Sequence, residues 1–253
     1  VNGLEAVAVF AAGVGAGTIN TIVGSGSLIT FPTLVALGYP PIVANISNNI
    51  GLVPGAIAGS YGYRRELKGQ AGRLLRLGSA SMTGAAIGVV LLLNLPPAAF
   101  EKIVTVLIAI ALVLVIVQPK LNKWIMDRRE TEHAHGGPVL WGGVFGAGIY
   151  GGYFGAAQGI LLTALLGSFL DDDLQRVNGI KNMLSGIVNG TAAVLFLAVA
   201  FDKIDWWVVL LISVGSTLGG FIGAGVGRKL KPWMLRTVIV CVGLTAIAKL
   251  LAG

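Results

Sequence analysis

The sequence predicts an all-α polytopic membrane protein made of two inverted-topology repeats, each a glycine-broken helical hairpin plus three transmembrane helices. Three observations predict it. From Ala6 to Tyr63, 58 residues pass without a charged side chain. A soluble domain places a charge on its water face every few positions, so such a stretch is solvated by lipid or by other apolar helices. The composition agrees: 55% of the 253 residues are hydrophobic and 11% charged, with a mean hydropathy of +0.84, whereas globular domains carry about 25% charged residues. Finally, motifs recur in order. Gly15-Ala16-Gly17 and Gly24 match Gly146-Ala147-Gly148 and Gly155 at a spacing of 131, Asn45 and Asn49 match Asn178 and Asn182 at 133, and Leu95-Pro96-Pro97 matches Leu230-Lys231-Pro232 at 135. An offset that drifts so slowly marks one ordered repeat.

A β-barrel needs segments of about ten alternating residues, which these continuously apolar spans are not. The 38 glycines suit bilayer helices that pack closely. Val1 to Val23 lacks a basic n-region and its apolar character runs on past any cleavage point, so it is read as part of the mature fold. The net charge of +7 is assigned to loops facing an anionic leaflet, and no nucleic-acid partner is expected. The single cysteine, Cys241, lies in an apolar span, is read as a small packing residue and leaves no disulfide or thiolate metal site.

The first repeat is placed at 1–118 and the second at 138–253, joined by a cytoplasmic linker at 119–137. The first element of each is an apolar stretch too long for one helix, Leu4 to Leu37 and Val139 to Leu170. Glycines break them at Gly24-Ser25-Gly26-Ser27 and at Gly151-Gly152-Tyr153-Phe154-Gly155, where turns unavailable to helices become possible. Each is read as a hairpin of two short helices that starts and ends on one side. Ordinary spans follow at about Pro41 to Tyr61, Leu77 to Leu95 and Phe100 to Val117, then Val177 to Ala200, Trp206 to Val226 and Trp233 to Leu250.

Loop charge sets the orientation. After the first ordinary span stand Arg64, Arg65, Lys68, Arg73 and Arg76, but its counterpart holds Lys203 between Asp202 and Asp205. After the second span the contrast reverses, Lys102 alone against Arg228, Lys229, Lys231 and Arg236. By the positive-inside rule the halves point opposite ways. Placing the linker and the Arg176–Lys181 loop in the cytoplasm leaves only Lys102, Lys203 and Lys249 outside, with both termini extracytoplasmic in a cell membrane. Inverted repeats broken at matching positions are the signature of a secondary transporter whose site lies at the repeat interface.

Interrupted helices offer backbone N–H groups and a positive dipole end to an anion. Ser25, Gly26 and Ser27 in the first break, and Gln158 in Gly155-Ala156-Ala157-Gln158-Gly159, add hydroxyl and amide donors; close packing without ligand is the alternative reading. Asn45 and Asn49 share one helix face, as do Asn178 and Asn182, and amides avoid lipid. They line a site or bond between helices. Asn48 adds polarity beside them. Its repeat counterpart is Lys181, a cation that suits an oxyanion at a pseudo-symmetric site, or alternatively a lysine snorkelling to the interface.

The glycine runs Gly51, Gly55, Gly59 and Gly215, Gly219, Gly223, Gly227 read as packing faces. Asp171-Asp172-Asp173 reads as a water-exposed helix start, and His133 and His135 as part of a solvated loop rather than a metal site. No Ser/His/Asp arrangement, P-loop or metal cluster falls in a span, so no enzyme and no cofactor is expected. No Asp or Glu lies in the core of a span either, which argues against a carboxylate proton relay.

The segment Gly17-Thr-Ile-Asn-Thr-Ile-Val-Gly-Ser-Gly-Ser-Leu-Ile-Thr-Phe-Pro32, with Ala44-Asn-Ile-Ser-Asn-Asn49 and Gly62-Tyr-Arg-Arg-Glu-Leu67, resembles the TauE/SafE sulfite exporter family, also called the TSUP permeases. Gly151-Gly-Tyr-Phe-Gly-Ala-Ala-Gln-Gly159 with Asn178-Gly-Ile-Lys-Asn182 is similar to its matching C-terminal motif. The resemblance covers essentially the whole chain and brings Asn20 and Tyr153 into the candidate site. It implies transport of small sulfur-containing oxyanions such as sulfite, thiosulfate, sulfoacetate or other organosulfonates, with export by alternating access as the expected mode. An anion-selective channel of the same architecture, or less readily a membrane-embedded enzyme, are the alternatives. The coupling ion, the particular oxyanion, the direction of transport and any homo-oligomeric state stay open.

Overall fold

The computed structural model describes residues 2–127, 137–226 and 232–252. Every α-helix among them falls into one of two sets of five. The first set is α1 (Gly3–Ile22), α2 (Ser27–Ala36), α3 (Pro41–Gly62), α4 (Ala71–Leu93) and α5 (Pro97–Asp127). The second is α6 (Gly137–Tyr153), α7 (Gln158–Phe169), α8 (Leu174–Val199), α9 (Trp206–Val226) and α10 (Pro232–Ala252), with a 3₁₀ turn at Phe201–Lys203. Five helices among the described residues, α1, α4, α5, α8 and α9, are long and apolar enough to cross a membrane. Helix α3 matches them in length at 22 residues but buries Asn45, Ser47, Asn48, Asn49 and Ser60.

Local chemistry starts these helices where they start. Asn2 and Glu5 form a reciprocal capping box on α1, satisfying donors that have no intrahelical partner. Pro41 opens α3 at a position where a missing N–H is harmless. The Asp173 carboxylate accepts from the N–H groups of Gln175 and Arg176 at 2.8 and 3.0 Å, capping α8.

Helix pairs come in matched sets when the halves are exchanged. α1 packs on α9 and α6 on α4; α3 packs on α9 and α8 on α4; α2 packs on α10 and α7 on α5. Two further pairs, α3–α8 and α5–α10, exchange into themselves. The seams depend on small residues. A Cβ on Gly215 would sit 2.6 Å from the Phe10 carbonyl, one on Gly148 2.8 Å from that of Ser81, and one on Gly51 2.7 Å from Ile212. The expected packing role of both glycine runs therefore holds at every described position, and Gly227 lies outside the described residues.

Several sequence expectations need correction. The hairpins are not pairs of short helices: α1 has 20 residues, about 30 Å, against 10 for α2. The second break is narrower than expected, because Gly151, Gly152 and Tyr153 remain in α6 and only residues 154–157 leave the helix. Helix α5 continues to Asp127, so the linker begins as helix. Asp172 is not a water-exposed cap; its side chain is 9% exposed and pairs with Arg73 and Arg176, tying the start of α4 to that of α8. Cys241 is exposed rather than packed. His133, His135 and the 228–231 loop lie outside the described residues.

Candidate functional site

The two breaks are built alike and meet. In the first, the N–H groups of Val23 and Gly24 both donate to the Ile19 carbonyl, at 2.7 and 3.1 Å; in the second, those of Phe154 and Gly155 both donate to Tyr150, at 2.9 and 3.0 Å. Each pair of partners is offset by the same 131 residues. Gly24 and Gly155 take φ of +85° and +76°, a left-handed geometry that glycine adopts without a Cβ penalty. Ala157 is the only non-glycine residue with positive φ among the described residues, at 61°. A single αL alanine is unfavourable by about 1–2 kcal/mol, and full burial holds it in place.

The crossing itself is a backbone contact. Gly159 donates its N–H to the Gly24 carbonyl at 3.0 Å, and a Cβ on either residue would strike the other's backbone. Phe31 of α2 packs edge-on against Phe154 in the opposite break, centroids 5.0 Å apart. The Tyr150 hydroxyl donates to the Ala156 carbonyl and closes the second break on itself. Four helix ends therefore converge: the carbonyl ends of α1 and α6, and the N–H ends of α2 and α7.

The carbonyl ends are occupied, and by residues from the opposite half. Lys181 of α8 donates its ammonium to the carbonyls of Asn20 and Thr21 at 3.2 and 3.0 Å, and Asn182 donates to Thr21 at 3.2 Å. Reciprocally, Asn45 of α3 donates to the Tyr153 carbonyl at the end of α6, at 3.1 Å. A cation and amide donors belong at a helix C-terminus, where the dipole is negative. Lys181 is 0% exposed, the one fully buried charged side chain among the described residues. It is neither a loop residue nor snorkelling to the interface, which corrects the sequence-based placement.

The other predicted residues divide into two groups. Some are committed to structure: Asn48 accepts from Thr30 and donates to Ser27 at 3.3 Å, and Asn20 accepts the Gly26 N–H through a long 3.5 Å contact. Others hold a buried polar atom that lacks a partner, namely Ser25 Oγ, Asn49 Oδ1, Tyr153 Oη and Gln158 Nε2. Ser25 and Gln158 adjoin the two crossing glycines, Tyr153 ends α6, and Asn49 is one turn along α3 from Asn45. Orphaned buried polar atoms are rare enough that each asks for an explanation such as a missing ligand. Ser81, Gln118 and Gln175 hold further orphans elsewhere in the fold. Asn178, one turn before Asn182, is half-buried and makes none of these contacts.

Sequence reasoning missed Thr21, whose carbonyl receives two donors, and the paired roles of Ile19 and Tyr150. The 131-residue offset, extended from the glycines to their flanking positions, locates the latter pair. No group of three His, Cys, Asp or Glu positioned for a metal occurs among the described residues.

Comparison with known proteins accords with this architecture. The family described as "Sulfite exporter TauE/SafE" matches residues 9–250. A probable membrane transporter protein of Haemophilus influenzae is 25% identical over 252 residues, covering 98% of this chain and 95% of that protein. The probable membrane transporter protein YfcA of Escherichia coli K12 is 25% identical over 93% of this chain and 86% of its own length. The probable membrane transporter protein ORF9 of a Sinorhizobium species is likewise 25% identical, over 94% and 88%. No solved structure matches the chain significantly.

Proposed function

Because the chain belongs to the sulfite exporter TauE/SafE family of membrane transporters, we propose that it carries small sulfur-containing oxyanions across the membrane, binding them where its two helix breaks cross. Sulfite, thiosulfate, sulfoacetate and other organosulfonates form the substrate class, and export is the direction. The observation that carries the anion reading is Lys181: a fully buried ammonium whose two contacts are backbone carbonyls. An ammonium has three donors, and a buried charge without a full counter-charge is strongly unfavourable. An oxyanion at the crossing supplies that counter-charge.

The rest of the site favours the same sign. With the carbonyl ends of α1 and α6 covered by Lys181, Asn182 and Asn45, the positive ends of α2 and α7 are left to face a ligand. Ser25, Tyr153 and Gln158 bring neutral donors, enough to orient an oxyanion without holding it too tightly to release. The inverted orientation of the halves, with both termini outside, rests on loop charge; the exchange-matched helix pairs support a two-fold relation between the halves. Alternating access follows if α1, α6 and their breaks rock against α3 and α8. Family and relatives are described as transporters, and no enzymatic step is assigned.

The experiment is substitution of Lys181 in purified, reconstituted protein. Lys181→Gln should lower oxyanion affinity at least ten-fold while Lys102→Gln, at an exposed position, changes it little; Lys181→Arg should retain part of the affinity, since charge survives while geometry does not. Intact sulfite and organosulfonate binding in folded Lys181→Gln protein would remove the ammonium from the site.

A further inference from the structure

Away from the crossing, a cleft of about 620 Å³ opens between the C-terminal half of α3 and the middle of α8. Its walls are apolar, with Ile57 and Tyr61 on α3 and Met183 and Ile187 on α8. Ile57 and Tyr61 are 62% and 58% exposed, on a helix whose neighbours cross the membrane. Its floor is shallow because Ala56 meets Gly186, where a Cβ would lie 3.5 Å away. One end only is charged. Arg64 and Lys68 line it, four residues apart, and the Arg64 guanidinium is already oriented, donating to the Tyr61 carbonyl at 3.2 Å and lying 4.5 Å from the Tyr61 ring centroid.

We propose that this cleft binds one anionic phospholipid of the surrounding leaflet, with an acyl chain along Ile57, Tyr61, Met183 and Ile187 and the phosphate between Arg64 and Lys68. The asymmetry chooses the occupant. A free oxyanion has no use for the apolar walls, and an apolar molecule has none for the paired cations; a lipid with an anionic head uses both. Concavity separates the site from ordinary boundary lipid, since a chain lying in a cleft is contacted from two helices at once. Basic residues next to membrane spans favour anionic headgroups about five-fold each, so two give roughly 25-fold preference over a zwitterionic lipid. The cleft joins the two helices that carry Asn49 and Lys181, and Met183 adjoins Asn182, so its occupant sits where α3–α8 spacing is set.

Native mass spectrometry of the full-length protein in detergent tests this, titrating palmitoyl-oleoyl phosphatidylglycerol against the phosphatidylcholine of the same chains. The parent should retain one phosphatidylglycerol with roughly 25-fold preference. Arg64→Gln with Lys68→Gln should bring the two lipids near parity, Ile187→Trp should reduce binding of both by filling the cleft, and Lys102→Gln should change nothing. Equal binding of both lipids by the parent, or an undiminished preference in the double variant, overturns the proposal. So does displacement of the lipid by millimolar inorganic phosphate, which assigns the cations to a free anion, or a lipid-free dimer, which assigns the cleft to a second copy. The readout is binding alone, so its failure is distinct from a failure of oxyanion transport.

Discussion

Gly159→Ala is the substitution that acts most directly on the crossing of the two breaks. The added Cβ would strike Gly24 Cα and lie 2.9 Å from the Gly24 carbonyl oxygen and 3.1 Å from its carbon. Non-bonded carbon contacts are comfortable at about 3.5–4.0 Å, so the breaks must separate by roughly 1 Å. Overpacking of this kind is unfavourable by about 1–3 kcal/mol. The same displacement stretches the 3.0 Å bond from Gly159 to Gly24, adding about 0.5–1.5 kcal/mol. Together the loss is roughly 1.5–4.5 kcal/mol, and the donors beside both glycines move with the backbone. Reversible denaturant titration in mixed micelles reads the stability, and uptake into proteoliposomes reads the site. Gly190→Ala on α8 is the control, since its Cβ would meet nothing within 4 Å and the better helix former should be neutral or mildly stabilising. If Gly159→Ala keeps parental stability and parental uptake while Gly190→Ala behaves the same way, the breaks do not touch as described.

Two further outcomes are expected. Asn49→Ala should weaken oxyanion transport by about 1.5–3 kcal/mol, ten- to a hundred-fold, as for a lost hydrogen bond to a charge, whereas Asn182→Ala, whose amide donates to the Thr21 carbonyl, should weaken it by about 0.5–1.5 kcal/mol; parental rates in both folded variants would make these amides purely structural. In a Cys241→Ala background, Arg65→Cys should react with a membrane-impermeant thiol reagent only from the cytoplasmic side and Asp202→Cys only from the opposite side. Labelling of both from one side would end the opposed orientation of the halves and the placement of the termini with it.

Much of the architecture was legible because lipid imposes simple rules. Uninterrupted apolar stretches, the glycines at positions 24 and 155 and Pro41 before an apolar run placed most helix boundaries to within a few residues, and small-residue periodicity identified packing faces on α3 and α9. The breaks were legible because left-handed glycine is a local property. What escaped was non-local. Lys181 stands within two turns of a charged helix start, which in sequence looks like an interface residue; only the approach of α1 from the other half supplies the carbonyls that bury it. Asp172 likewise looked solvated until Arg73, 99 residues away, was brought to it. Asn48 and Asn49 are adjacent and chemically identical, yet α2 engages one through Thr30 and Ser27 and leaves the other's carbonyl oxygen unpartnered. Helical phase separates them by about 100°, and no composition or motif argument distinguishes the two.

The anion-carrier claim is tested most directly by counterflow. Proteoliposomes preloaded with millimolar unlabelled sulfite, then diluted into trace radiolabelled sulfite, thiosulfate, sulfoacetate or sulfate, report exchange through a single site. The account predicts transient accumulation of at least one labelled sulfur oxyanion above equilibrium, abolished when the internal anion is omitted and strongly reduced by Lys181→Gln. Influx that proceeds equally without internal anion would show a channel instead of a carrier, and no influx of any of the four anions would contradict an oxyanion site at the crossing of the breaks.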